Sequence, residues 1–150
     1  MKIGVTILAV LLAAGGLWVR FQPARVTRVV HAQTGCSVAS LVGSYGYSLC
    51  GFYFDNAGNT NFFSASGIFT ADGQGNTTGH ESDSFSGQIL QGDPIAGTYS
   101  VNSDCSGSIT TNSMTSGSAN YDFVLTNGLS QLQLVETDSG NNVTGHATRQ

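Results

Sequence analysis

Positive charge is scarce in this chain. Five basic side chains stand against nine acidic ones, and four of the five (Lys2, Arg20, Arg25 and Arg28) lie at the N-terminus. Over 33–150 only Arg149 remains against all nine carboxylates, a net charge of −8. One cation cannot neutralise a run of phosphates, which excludes nucleic acid as a partner. Binding to anionic membrane surfaces fails for the same reason. With no lysine after Lys2, Schiff-base chemistry is excluded as well. Proline is equally sparse: Pro94 alone follows the N-terminal segment. Beyond that segment no stretch carries helical periodicity.

The N-terminus has a composition of its own. Lys2 precedes an uncharged apolar run from Ile3 to Val19, then a polar stretch ending in Val30-His31-Ala32. This pattern predicts a hydrophobic leader helix over 1–32, removed as a signal peptide after Ala32. The alternative is a retained N-terminal anchor, because a run of about 17 apolar residues sits at the short limit for spanning a bilayer. Either way 33–150 is one exported domain.

Gly, Ser, Thr and Asn dominate the domain, but aromatic residues recur from Tyr45 to Phe123 at intervals that can close one modest core. Period-two alternation in segments separated by turn signals predicts an all-β fold. The expected strands cover 41–54, 62–71, 76–87, 95–102, 105–112, 119–126, 129–137 and 142–149. Asp55-Asn56-Ala57-Gly58-Asn59 and Asp72-Gly73-Gln74-Gly75-Asn76 share an Asp-x-x-Gly-Asn pattern. There Asp bonds the backbone ahead of it, and Gly supplies the positive φ of the following bulge. Asn127-Gly128 suits a two-residue hairpin, and Asp138-Ser139-Gly140-Asn141 another tight reversal. Short reversals make a meander. Ile95, Gly97, Tyr99 and Val101 share one face of their strand, as do Tyr121, Phe123 and Leu125, and Leu132 and Leu134. The expected architecture is an antiparallel eight-stranded barrel of the calycin or allene-oxide-cyclase shape, with a β-sandwich as second choice. Of the three cysteines, Cys36, Cys50 and Cys105, two are expected to bridge in an oxidising compartment, with the pairing open.

Four stretches carry a resemblance: Cys36-x-x-x-Ser40-Leu41-x-Gly43-x-Tyr45-Gly46-Tyr47, Gly67-x-Phe69-Thr70-Ala71-Asp72-Gly73-x-Gly75-Asn76, Gly97-Thr98-Tyr99-x-Val101-Asn102-x-Asp104-Cys105-x-Gly107, and the C-terminal run from Glu136 to Gln150. Together they resemble a family of uncharacterised secreted bacterial proteins, Gly97–Gly107 being the most specific part. The resemblance implies no activity. It does imply pairing of Cys36 with Cys105, leaving Cys50 over. A weaker, fold-level resemblance to allene oxide cyclase and dirigent-like barrels rests on the Gly-punctuated strands and predicts no chemistry.

Candidate chemistry is thin. Glu81 and Asp83 share a strand face about 7 Å apart, within the range of paired carboxylates in sugar hydrolysis, but on so polar a strand both are expected to face water. His80 and Glu81 point to opposite faces and make no dyad. His80 and His146 would bind a metal only if their strands were neighbours. The single carboxylates at Asp55, Asp72 and Asp138 are explained by turn chemistry better than by calcium. Cys50 lacks a nearby base or cation to activate it. No cofactor or metal is expected. The reading is therefore an extracellular or envelope structural or binding module, more a non-enzyme than an enzyme. Its partner would be a small ligand or an extracellular polymer. The alternatives are a barrel binding a small apolar ligand or glycan, and a barrel isomerase or hydrolase using Glu81 and Asp83. A lumen filled by side chains or enclosing an acidic pocket separates these readings.

Overall fold

A computed structural model describes residues 35–150; the leader expected over 1–32 lies outside them. A short 3-10 turn, Val38–Leu41, leads into eight strands: β1 (Val42–Phe54), β2 (Thr60–Asp72), β3 (Asn76–Phe85), β4 (Gln88–Val101), β5 (Ser106–Ser113), β6 (Gly117–Thr126), β7 (Gln131–Glu136) and β8 (Asn141–Arg149). Each pairs antiparallel with its sequence neighbour, and β8 pairs with β1, closing the barrel. Closure leaves no sheet edge open, which matters for strands this rich in Ser, Thr and Gly.

Alternation sorts the side chains. Tyr45, Leu49, Phe69, Ile95, Tyr99, Ile109, Tyr121, Phe123, Leu132 and Val143 point inward and are buried. Ala96, Thr98 and Ser100, between them on β4, are exposed. Tight bending puts glycine on the inward face where strands approach closely. At Gly97 a Cβ would lie 2.1 Å from the Thr110 carbonyl oxygen of β5. Only a residue without a side chain fits at such a corner.

The turns follow their sequence chemistry. Asp55 Oδ1 accepts from the Ala57 and Asn59 amides, and Asp72 Oδ1 from the Gln74 and Asn76 amides. Gly58 and Gly75 hold φ of 81° and 106°. The reversal at Asn127-Gly128 differs from the expected two-residue hairpin. Both residues hold positive φ, but the turn extends through Leu129 and Ser130, and Thr126 pairs with Gln131. β4 also starts seven residues earlier than its alternation suggested. A bulge interrupts the pairing there, since Glu81 faces Asp93 while Asp83 faces Leu90. The extra β4 residue, with Gly92 at φ 66°, breaks the period-two signal.

One barrel end is sealed. Cys36 is bonded to Cys105 in the β4–β5 turn, and its amide donates to the Ser103 carbonyl. The Tyr99 hydroxyl donates to the carbonyls of Val38 and Leu41, tying the 3-10 turn down. Beneath it Tyr45 stacks on Phe69 with centroids 5.2 Å apart. Arg149 lies over the Tyr45 ring at this same end.

Candidate functional site

The other end is open. A cup of about 270 Å³ is lined by Tyr53, Phe63, Phe85, Tyr121, Glu136 and Asn141, together with the β5–β6 turn. A smaller cavity of about 30 Å³ sits among Tyr47, Leu49, Phe69, Ile95, Ile109 and Leu134. Glu81, Thr111 and Tyr121 line both. The lumen is therefore only partly filled, and it contains acid.

Glu81 and Asp83 lie on the inward face of β3, between Gly79 and Phe85. This corrects the expectation that both face water: Asp83 is only 3% exposed and Glu81 is half-buried. The reason is register. Gly67 and Ala65 of β2 stand opposite Glu81 and Asp83, and those two small residues already belong to the interior face.

The neighbouring carboxylates are satisfied to very different degrees. Asp93, beside Glu81 on β4, accepts from the Ser113 hydroxyl, and from the amide and hydroxyl of Thr115 at 3.2 and 3.0 Å. These bonds, Ser113 foremost, hold its pKa below the usual carboxylate range and anchor the β5–β6 turn at the cup. Glu81 accepts one strong bond, from the Tyr47 hydroxyl at 2.5 Å. Burial nevertheless raises its pKa, and Tyr47 only partly offsets this. Neither oxygen of Asp83 has a hydrogen-bond partner. Burial, then the charges of Glu81 and Asp93, push its pKa up to about 6, and the nearby Ser116 hydroxyl offsets this only in part. Burial and adjacent carboxylates likewise push the Tyr47 and Tyr121 hydroxyls far above the ordinary phenol range. Glu136 at the mouth accepts from Asn141 Nδ2, and burial raises its pKa.

Tyr47 reaches Glu81 across the intervening strand because the residue between them is Gly67. Tyr47, Gly67 and Glu81 form one rung of β1, β2 and β3. A Cβ on Gly67 would lie 2.9 Å from the Tyr47 hydroxyl and 2.4 Å from the His80 carbonyl.

The other candidates are not brought together. His80 and His146 are exposed on the outer surface, on β3 and β8, with β1 and β2 between them. Among the described residues no group of three or more His, Cys, Asp or Glu is arranged to hold a metal. Both oxygens of Asp55 and of Asp72 are occupied by bonds within their own turns. Asp138 Oδ2 and Oδ1 accept from the amide and side chain of Asn120. Cys50 is exposed and unbridged.

Sequence reasoning missed Asp93 and Glu136. Alternation carried two residues back from Ile95, and two forward from Leu134, places both inward.

No protein-family model matches the chain, and no curated protein matches it. Solved structures with a similar shape include designed barrels. One is a redesigned β-barrel bound to DFHBI, 16% identical, with a TM-score of 0.49, covering 75% of this chain and 97% of its own. Another is a de novo designed fluorescence-activating β-barrel, 15% identical, with a TM-score of 0.45, covering 75% and 96%.

Proposed function

We propose that this protein is an exported barrel that binds a small ligand in its open mouth. The observation that carries this reading is the 270 Å³ cup, walled by Tyr53, Phe63, Phe85 and Tyr121 and floored by Glu81. A concavity in which ring faces meet converging hydroxyl, amide and carboxylate groups can both bury and orient a small molecule. A purely structural barrel of this size would fill its lumen with side chains. Export is supported by the leader pattern and by the Cys36–Cys105 bridge, a bond that persists in oxidising compartments. Among the described residues, no helix is long and apolar enough to cross a membrane.

The test is an NMR screen of small aromatic and saccharide probes against the purified protein. Binding should shift the ring resonances of Tyr53, Phe63, Phe85 and Tyr121. Ala119→Phe, which places a ring in the cup, should abolish those shifts without unfolding the barrel. Shifts confined to outward residues would reject the reading.

Acid–base catalysis at the same place is the second reading. It is supported by Asp83, whose pKa of about 6 suits proton transfer near neutrality. An isomerase or hydrolase of this kind would lose turnover in Asp83→Asn while still binding its substrate.

A further inference from the structure

The cup has a charge problem that the protein does not solve internally. Glu81, Asp83 and Glu136 all belong to the inward face near the mouth, with Asp93 beside Glu81. Among the described residues no basic side chain accompanies them. Arg149, the one Lys or Arg after residue 34, is at the sealed end, where it donates to the Val42 carbonyl and covers Tyr45. His80 and His146 point outward. Asp93 is hydrogen-bonded locally by Ser113 and Thr115, and Glu136 by Asn141. Asp83 is left, 3% exposed, with both oxygens unpartnered. It stands between Glu81 and Phe85 on β3; those two line the cup, and Asp83 itself does not.

Glu81 lines the cup with one donor, Tyr47, and a second buried carboxyl beside it, and such a pair offers a place for a cation to be received. The walls indicate which kind. A hard metal ion asks for six or more oxygens, whereas among the described residues no group of three acidic, His or Cys side chains is arranged to hold one, and four aromatic rings share the wall. Ring faces attract an organic cation and bury its apolar body at once. The −8 domain would draw such a ligand in from solution.

We propose that the cup binds a small organic ammonium. Its charge is held by Glu81, with the carboxyl of Asp83 adding to the field from behind the lining, and its apolar body lies against Tyr53, Phe63, Phe85 and Tyr121. The proposal rests on the cup being a ligand site and narrows the ligand to one charge class. The raised pKa of Asp83 agrees with it, since a bound cation would restore the ionised form. The groups facing Asp83 and Glu81 are Tyr47 on β1, Asp93 on β4, Tyr121 on β6 and Glu136 on β7. None of them is cationic.

A matched probe series separates the possibilities: phenethylammonium, benzyltrimethylammonium, neutral 2-phenylethanol and anionic 3-phenylpropanoate, titrated against the full chain by NMR at low salt. The ammonium probes should bind about ten-fold tighter than the alcohol, the value of one charge-assisted contact, and the anion should not bind. Their affinity should rise from pH 5 to pH 7.5 as Asp83 ionises, while that of the alcohol stays flat. Glu81→Gln should bring the ammonium probes down to the alcohol and leave the alcohol unchanged, with Asp83→Asn as a second variant of smaller effect. Equal binding of ammonium and alcohol overturns the cation assignment and leaves the cup reading standing. Binding of neither overturns both. Calcium competing with the ammonium probes at equal concentration overturns the organic assignment in favour of a metal.

Discussion

Glu81 and Asp83 lie two residues apart on the inward face of β3, yet only Glu81 has a hydrogen-bond donor, the Tyr47 hydroxyl at 2.5 Å. That difference sets the response of the barrel to pH. The pKa of Asp83 is raised to about 6, above its value in the unfolded chain, so the folded state holds its proton longer. Stability from this group is complete at low pH and is lost as pH rises through about 6. Glu81, also raised, acts in the same sense. Asp55, Asp72 and Asp104 have lowered values, and their contribution is lost only as pH falls through the depressed range, outside this window. The unliganded barrel should therefore be about 1 kcal/mol less stable at pH 7 than at pH 5. Asp83→Asn should reduce this slope, leaving the part due to Glu81 and Glu136, and stabilise the protein at pH 7 by about 1–2 kcal/mol. Urea midpoints at the two pH values decide; a wild-type midpoint that rises toward pH 7 would show an ordinary carboxylate.

The Tyr47–Gly67–Glu81 rung predicts two outcomes. Gly67→Ala should cost about 2–3 kcal/mol, because its Cβ meets the His80 carbonyl and the Tyr47 hydroxyl. Tyr47→Phe should instead leave the fold intact and raise the Glu81 pKa further by removing the donor that lowers it. Carboxyl-carbon NMR titration reads this directly, and an unchanged Glu81 would mean the bond does not form in solution.

At the sealed end, replacing Cys36 and Cys105 by Ser should cost about 4 kcal/mol, the chain-entropy value for a sequence separation of 69 residues. Cys50, exposed and unbridged, should alkylate in the native protein at the full rate with no change in melting temperature. Peptide mapping that finds Cys50 in a bridge would contradict both statements.

Gly97→Ala tests the corner. With a Cβ placed 2.1 Å from the Thr110 oxygen, β4 and β5 must separate. The loss should exceed about 2 kcal/mol, or folding should fail. The same change at Gly58, where open space surrounds the turn, should cost only the strain of its φ of 81°. Paired denaturation curves of the two variants compare them.

Much of the fold was legible because a strand's period is local. Eight runs of alternation, the Asp-x-x-Gly-Asn turns and the inward sets Ile95–Tyr99 and Tyr121–Leu125 follow from which neighbours each residue has in the chain. The Cys36–Cys105 bridge came from the resemblance alone. Alternation also put Glu81 and Asp83 on one side of β3. It did not say which side, because Thr77 and Gly79 on that face are no more apolar than Thr78 and His80 on the other. Phe85 was the single local sign of the interior.

Tertiary structure decided the rest. Pairing with β2 set Glu81 against Gly67 and Asp83 against Ala65, and so turned two carboxylates toward the lumen. The β4 bulge brought Asp93 beside them, and β1, arriving from the far side of Gly67, supplied Tyr47. Composition and alternation are properties of a strand by itself and carry the architecture. Burial, the missing donor at Asp83 and the cup at the mouth depend on register and closure, which exist only once all eight strands have met.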